Sequence, residues 1–176
     1  CLTAVSALSR TAPERIPVLI DNLAAILQSR LKPTPPQLWT LAEELHLARA
    51  LVELDQVRYT DSPALTESVL SEAENCLVPE MLLQPLIENA LKYGRTGAGP
   101  PAISLSANVA GNRLAITISN KGANGKSGHF SPGLGIGMQN IRQRLDLLYG
   151  RAARFEVDES DGHFKAMLSL PAVQHP

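Results

Sequence analysis

Ile103, Leu105, Ala107 and Val109 alternate with small or polar residues, and Leu114, Ile116 and Ile118 do the same after Ala110-Gly111-Asn112. A period of two puts every apolar side chain of a strand on one face. Two such runs joined by a tight turn predict an antiparallel hairpin with one greasy face that another layer must cover. The cover is encoded on both sides. Leu82, Leu83, Leu86, Ile87, Ala90 and Leu91 recur at helical spacing in a segment expected to open at Pro79 and stop at Gly94. A second helix is expected from Gly133-Leu134-Gly135-Ile136-Gly137 to about Tyr149. Two short strands near 153–158 and 163–170, joined at Asp161-Gly162, and weak alternation over 66–74 complete the pattern. The order β-α-β-β-loop-α-β-β predicts an α+β fold, a two-layer sandwich with a mixed sheet.

Upstream the period is helical. Ile16, Leu19, Ile20, Leu23, Ile26, Leu27 and Leu31 form one apolar stripe after Pro13, and Pro33, Pro35 and Pro36 end it. Thr40-Leu41-Ala42-Glu43 has the form of a capping box, and Leu41, Leu45, Ala48, Val52 and Val57 mark a second helix ending near Tyr59. These two helices predict a hairpin preceding the sandwich, with an expected boundary at Asp61-Ser62-Pro63 that divides the chain into 1–61 and 62–176.

Hydrophobic residues make up 44% of the 176, enough for a packed core. The 16 basic and 17 acidic residues leave a net charge of −1, without the basic excess that nucleic-acid wrapping needs, and the few aromatics form no stacking platform. No apolar run approaches the roughly 18 residues of a membrane span, so any membrane attachment is expected from segments upstream. Cys1 and Cys76 have no metal-ligand spacing and are expected as free thiols. A first residue other than Met leads to the expectation that the chain is a piece of a longer protein.

Three segments carry candidate chemistry. In Leu82–Gly94, Gln84, Glu88 and Lys92 are four apart on one helix face with Asn89 at its edge. The face offers an amide carbonyl and a carboxylate to a hard cation such as Mg²⁺ and an ammonium to phosphate; it equally fits a solvated face with a Glu-to-Lys pair. Gly133, Gly135 and Gly137, before a helix that continues with Met138, let backbone approach a ligand and aim free N–H groups at phosphate; they equally fit a flexible loop. Ile116–Gly122 is a strand ending in Asn120, Lys121 and Gly122, fit for a purine edge or for an ordinary turn.

Together, ENALKYG, SNKG and GLGIGMQNIRQRL resemble, in this order and spacing, the N box, adenine box and second glycine box of the GHKL ATP-binding fold shared by gyrase and histidine kinases. The phrases LVPEMLLQPLIENALKYG and LAEELHLARALVELDQVRY narrow the resemblance to sensor histidine kinases of the LytS/YehU type, which includes the AlgZ/FimS-like proteins. The resemblance implies a catalytic ATP-binding domain at 62–176 after a dimerisation hairpin at 1–61. It implies ATP and Mg²⁺ as ligands, Asn89 as the Mg²⁺ ligand and Glu88 as the acid/base or water-positioning group. It implies Lys92 on phosphate, Tyr93 in the pocket wall and Asn120 on the adenine amino group. Gly122 and the lid up to Pro132 would cover the nucleotide, with Gly133, Gly135, Gly137 and Met138 along the triphosphate. Arg142 and Arg144 face either phosphate or the helical hairpin. Two positions depart from the family pattern: Asn120 stands where Asp is usual, and Tyr93 where His is common.

The kinase type carries its phosphoacceptor His in an HFxFN-like motif just before a segment resembling Cys1–Leu8, so that residue is expected upstream. None of His46, His129, His163 or His175 has the right surroundings. The resemblance further implies a response regulator of LytTR type as partner, a homodimer through the N-terminal helices, and a cytoplasmic position within an inner-membrane bacterial sensor. Two other functions fit the same boxes: a nucleotide-responsive interaction module without transfer activity, and a GHKL ATPase in which Glu88 aims water.

Overall fold

The computed structural model describes residues 37–58, 64–94, 102–121, 136–160 and 163–174. The expected first helix, 13–31, lies outside the described residues, as do the lid and the turn at Asp161-Gly162.

Chain order begins with a short strand β1 (Leu38–Thr40) and helix α1 (Leu41–Arg58). The capping box forms as expected: the Thr40 N–H donates to Glu43 Oε2 at 2.7 Å, and the Glu43 N–H returns to Thr40 Oγ1 at 3.3 Å. β2 (Ala64–Val69), a single-turn helix α2 (Ser71–Glu74) and β3 (Leu77–Pro79) follow, then α3 (Gln84–Gly94). The hairpin is β4 (Ala102–Ala110) and β5 (Arg113–Lys121), followed by α4 (Ile136–Tyr149), a 3-10 turn at Gly150–Ala152, β6 (Arg154–Ser160) and β7 (His163–Pro171).

The main sheet runs β2-β4-β5-β7-β6. β2 pairs parallel to β4, and every other pair is antiparallel, so the sheet is mixed. A parallel pair requires a crossover, and α2, β3 and α3 supply it. The register Ala110↔Arg113 places Gly111 and Asn112 at the hairpin tip, where Gly111 has φ +59°, a left-handed conformation that glycine adopts without a Cβ penalty. Ile103, Leu105 and Ala107 of β4 are buried while Ser104, Ser106 and Asn108 are exposed. β5 and β7 bury Ile116, Ile118, Phe164, Ala166 and Leu168 on the same side. That face is covered by α1 (Leu41, Leu45, Ala48, Val52), α3 (Leu86, Ile87, Ala90, Leu91) and α4 (Met138, Ile141, Leu145), which share one core with the strands. The expected boundary at 61 falls between described segments; α1 on one side of it and β2 on the other pack on this common core.

Two local expectations are corrected, and one element was not foreseen. Pro79 does not open a helix. It ends β3, which pairs antiparallel with β1 (Leu38↔Pro79, Thr40↔Leu77), and α3 starts five residues later at Gln84. A proline at a strand end gives up no ladder bond that the pair needs. The alternation over 66–74 is a strand only to Val69; Ser71–Glu74 turn once as α2 to bury Ala73. The two-stranded β1–β3 ribbon has no counterpart in the pattern, because three-residue strands are too short to show a period.

The one-sided sheet makes a direct prediction. Leu105→Ala should cost about 3 kcal/mol through a lost side chain and a residual cavity. Its neighbour Ser104→Ala should stay within about 0.5 kcal/mol. Urea denaturation of the two variants checks this; equal losses would contradict the two-layer arrangement.

Candidate functional site

The site is organised around α3, and its start is built from another helix. Glu44 of α1 is 1% exposed. Its Oε1 accepts the Met81 N–H and its Oε2 accepts the Leu83 N–H, at 2.5 and 2.8 Å. Met81 has φ +57°, a left-handed conformation that costs a side-chain-bearing residue about 1–3 kcal/mol unless the surroundings enforce it. The Leu83 carbonyl then accepts the Ile87 N–H and so begins the helix. A carboxylate beside these groups also complements the positive end of the helix dipole. Arg144 of α4 donates to the Glu80 carbonyl in the same turn and places its charge near Glu44. This settles the open alternative for Arg144: it faces the turn before α3. Arg142 instead lies over the Phe155 ring, 5.7 Å from its centroid.

Along α3, Gln84 is 7% exposed and donates from Nε2 to Glu88 Oε1 at 2.8 Å, while its own Oε1 is buried without a hydrogen-bond partner. Glu88 is exposed and Asn89 half-buried. The Asn89 amide has no hydrogen-bond partner among the described residues. Lys92 and Tyr93 lie in the last turn of α3; their side chains lie outside the description. Within the described residues, the polar partner of Glu88 along this face is Gln84.

The start of α4 comes directly against the start of α3. A Cβ built on Gly137 would sit 3.1 Å from the Pro85 Cβ, tighter than ordinary contact. Met138, next in the chain, is 1% exposed and anchors this end of α4 in the core. The last glycine of the triple-glycine stretch is therefore adjacent to the helix that bears Glu88 and Asn89. Gly122, Gly133 and Gly135 lie outside the described residues.

Asn120, near the end of β5, is 3% exposed. Its Nδ2 donates to the Ala90 carbonyl of α3 at 3.1 Å, and its Oδ1 accepts the Phe164 N–H of β7 at 2.7 Å. One partner is purely a donor and the other purely an acceptor, so the amide has one orientation. Each end keeps capacity for one more hydrogen bond. Asn120 thus ties β5, β7 and α3 together at the site. An aspartate could accept from Phe164 but would turn its second oxygen against the Ala90 carbonyl. Glu44 as a site-builder was not legible beforehand. A Glu inside an amphipathic helix carries no sign that it will be buried.

No family model matches the chain. It is 28% identical over 157 residues to the sensor histidine kinase YpdA of Escherichia coli, covering 85% of this chain and 28% of that protein. It is 25% identical over 181 residues to the sensor protein LytS of Staphylococcus saprophyticus, covering 97% of this chain and 31% of that protein. The chain thus spans less than a third of the length of these relatives. Among solved structures, the histidine kinase domain of a blue-light activated histidine kinase from Erythrobacter litoralis superposes with a TM-score of 0.59 at 16% identity, covering 94% of this chain and 75% of that one. Histidine kinase ThkA, solved in complex with the response regulator protein TrrA, gives 0.55 at 13% identity, covering 92% and 49%. The homologues are sensor histidine kinases, and the fold is that of histidine kinase catalytic domains, the GHKL fold.

Two outcomes are expected from the polar contacts. Burial pushes the Glu44 carboxyl up from 4.5 to about 7, against the Leu83, Met81 and Leu82 N–H groups and Arg144, which pull it down. The folded chain then holds this proton more tightly than the unfolded one, so Glu44's contribution to stability falls as pH rises from 4.5 to 7. The full effect is about 3 kcal/mol. Denaturation midpoints across that window should decline more steeply for the unchanged protein than for Glu44→Gln; parallel curves would contradict it. Separately, Asn120→Asp should destabilise by about 1–3 kcal/mol through the lost donor. Unchanged stability in urea would show that the clamp is dispensable.

Proposed function

We propose that this chain is the catalytic, ATP-binding part of a two-component sensor histidine kinase of the LytS type. The observation that carries the reading is the abutment of Gly137 on Pro85. It brings the end of the glycine box to the helix of Glu88 and Asn89, within a fold shared with histidine kinase catalytic domains. The kinase names of the relatives favour it over an interaction module or a free-standing ATPase.

In this reading the nucleotide lies between α3 and the start of α4. The unpartnered amide of Asn89 suits a hard cation, since magnesium takes oxygen ligands and keeps several waters. Asn89 Oδ1 would hold Mg²⁺, which when bound offsets the charge of the phosphates. The N–H groups and positive dipole end of α4, with Gly133, Gly135 and Gly137, would receive phosphate oxygens. Met138 fixes that helix end in the core. Lys92 would contact phosphate, and Tyr93 and Gly122 would border the nucleotide. The spare hydrogen-bonding capacity of Asn120 would meet the adenine edge. Glu88, held by Gln84, would orient the attacking group. The γ-phosphorus would gain a bond to an imidazole nitrogen and lose its bond to the β,γ-bridging oxygen, with ADP leaving. The contribution of these residues is mainly to hold the reactants in line.

The accepting histidine is proposed to come from outside these 176 residues, with the phosphoryl group passing next to a response regulator of LytTR type. ThkA, of the same fold, was solved in complex with a response regulator, TrrA. Residues 62–176, with α1 packed on them, would act as the catalytic unit, and the remainder of 1–61 would serve dimerisation. No helix among the described residues is long and apolar enough to cross a membrane. We place the chain on the cytoplasmic side of a sensor whose membrane part lies elsewhere.

Calorimetric titration tests the proposal. The chain should bind ATP saturably with magnesium present, and Asn89→Ala should weaken binding by more than about tenfold, or 1.4 kcal/mol, while leaving the denaturation midpoint near that of the unchanged chain. Absence of binding at millimolar nucleotide would overturn the reading.

A further inference from the structure

We infer that Glu44 is a positioning residue for nucleotide binding, one that couples the placement of α1 to the placement of Asn89 by locking the turn that launches α3. The inference rests on the ATP-binding reading above. Glu44 sits on α1, yet each of its carboxylate oxygens holds a backbone N–H of the Met81–Leu83 turn. Met81 in that turn is left-handed without being glycine, a conformation that the surroundings have to enforce. Arg144 grips the same turn from α4 through the Glu80 carbonyl. Three helices therefore meet at one buried polar joint, two residues before Pro85, the contact point of α4. Asn89 lies little more than one helical turn beyond Pro85, so a shift of the turn displaces its amide together with the α3–α4 contact.

The coupling has a direction. Apolar contacts between helices tolerate sliding, because they are non-directional. Two charge-assisted hydrogen bonds from one rigid carboxylate do not, because their energy depends on angle and distance. Along the α1–α3 interface, Leu41, Leu45 and Ala48 supply the first kind of contact and Glu44 the second. A movement of α1 thus reaches α3 through Glu44. The pull arrives at the end of α3 that touches α4.

The test uses the whole chain at pH 8, with Glu44→Gln as the main variant. The glutamine keeps one acceptor and sets an N–H₂ against one of the two backbone donors. Hydrogen exchange should speed up at Met81 and Leu83 by more than about tenfold while β4, β5 and β7 amides keep their protection. Calorimetry on the same folded sample should show Mg·ATP binding weakened by about tenfold. A merely structural cap would change exchange or denaturation midpoint without moving the affinity of protein that is fully folded. Affinity within twofold of the unchanged chain, or unaltered exchange at Met81 and Leu83, overturns the inference while leaving the ATP reading intact. Failure of the unchanged chain to bind Mg·ATP overturns both. Should Glu44→Gln lose the native exchange pattern altogether, Arg144→Gln carries the test: threefold or weaker binding supports the joint, and unchanged affinity sinks it.

Discussion

The buried carboxylate of Glu44 is the constraint on which the rest of the arrangement depends. Helix α3 must begin abruptly after β3, and in the four residues between them the Met81 and Leu83 N–H groups face Glu44. Glu44 answers those donors from a neighbouring helix, and Arg144 answers the Glu80 carbonyl from another. Burying a charge is expensive, which is why the carboxyl is pushed up to about 7 in spite of its donors. The expense is tolerable because the alternative is worse. Unsatisfied backbone N–H groups in the same place would each cost about 1–3 kcal/mol.

Once that turn is fixed, α3 lies across the sheet with its apolar side on β4, β5 and β7, and two further contacts hold it there. Gly137 allows α4 to start in direct contact with Pro85. Asn120 reaches from β5 to the Ala90 carbonyl and to the Phe164 N–H. The Glu44, Arg144 and Asn120 contacts act on backbone groups, and the Gly137 contact on the rigid ring of Pro85. Positions set by hydrogen bonds and close packing vary less than the ends of long side chains, which suits the nucleotide site proposed above. The neutral Asn120 also has a structural reason, since an amide can donate to Ala90 while accepting from Phe164 and an aspartate cannot.

Much of the architecture could be read before any coordinates. The period of two in 103–109 and 114–118, the apolar stripe of 82–91, and the capping box at Thr40 and Glu43 each encode a local element that forms, although the helix of the stripe starts five residues later than expected. The misreadings have a common cause. Pro79 looks like a helix opener because proline suits a first turn, yet its φ also suits a strand end, and pairing with Leu38 decides the matter. Residues 71–74 continue an alternation that the burial of Ala73 overrides.

By itself, the sequence determined the strand and helix segments, the one-sided sheet and the polar edge of α3, because those depend on side-chain period and on caps within a few residues. Only the tertiary structure decided the rest. Glu44 meets Met81 and Leu83 across 37 and 39 residues, and Asn120 meets Phe164 across 44. Contacts of that separation leave no periodic trace. A buried carboxylate or amide looks like any surface one until packing removes the water and leaves a backbone group as its partner.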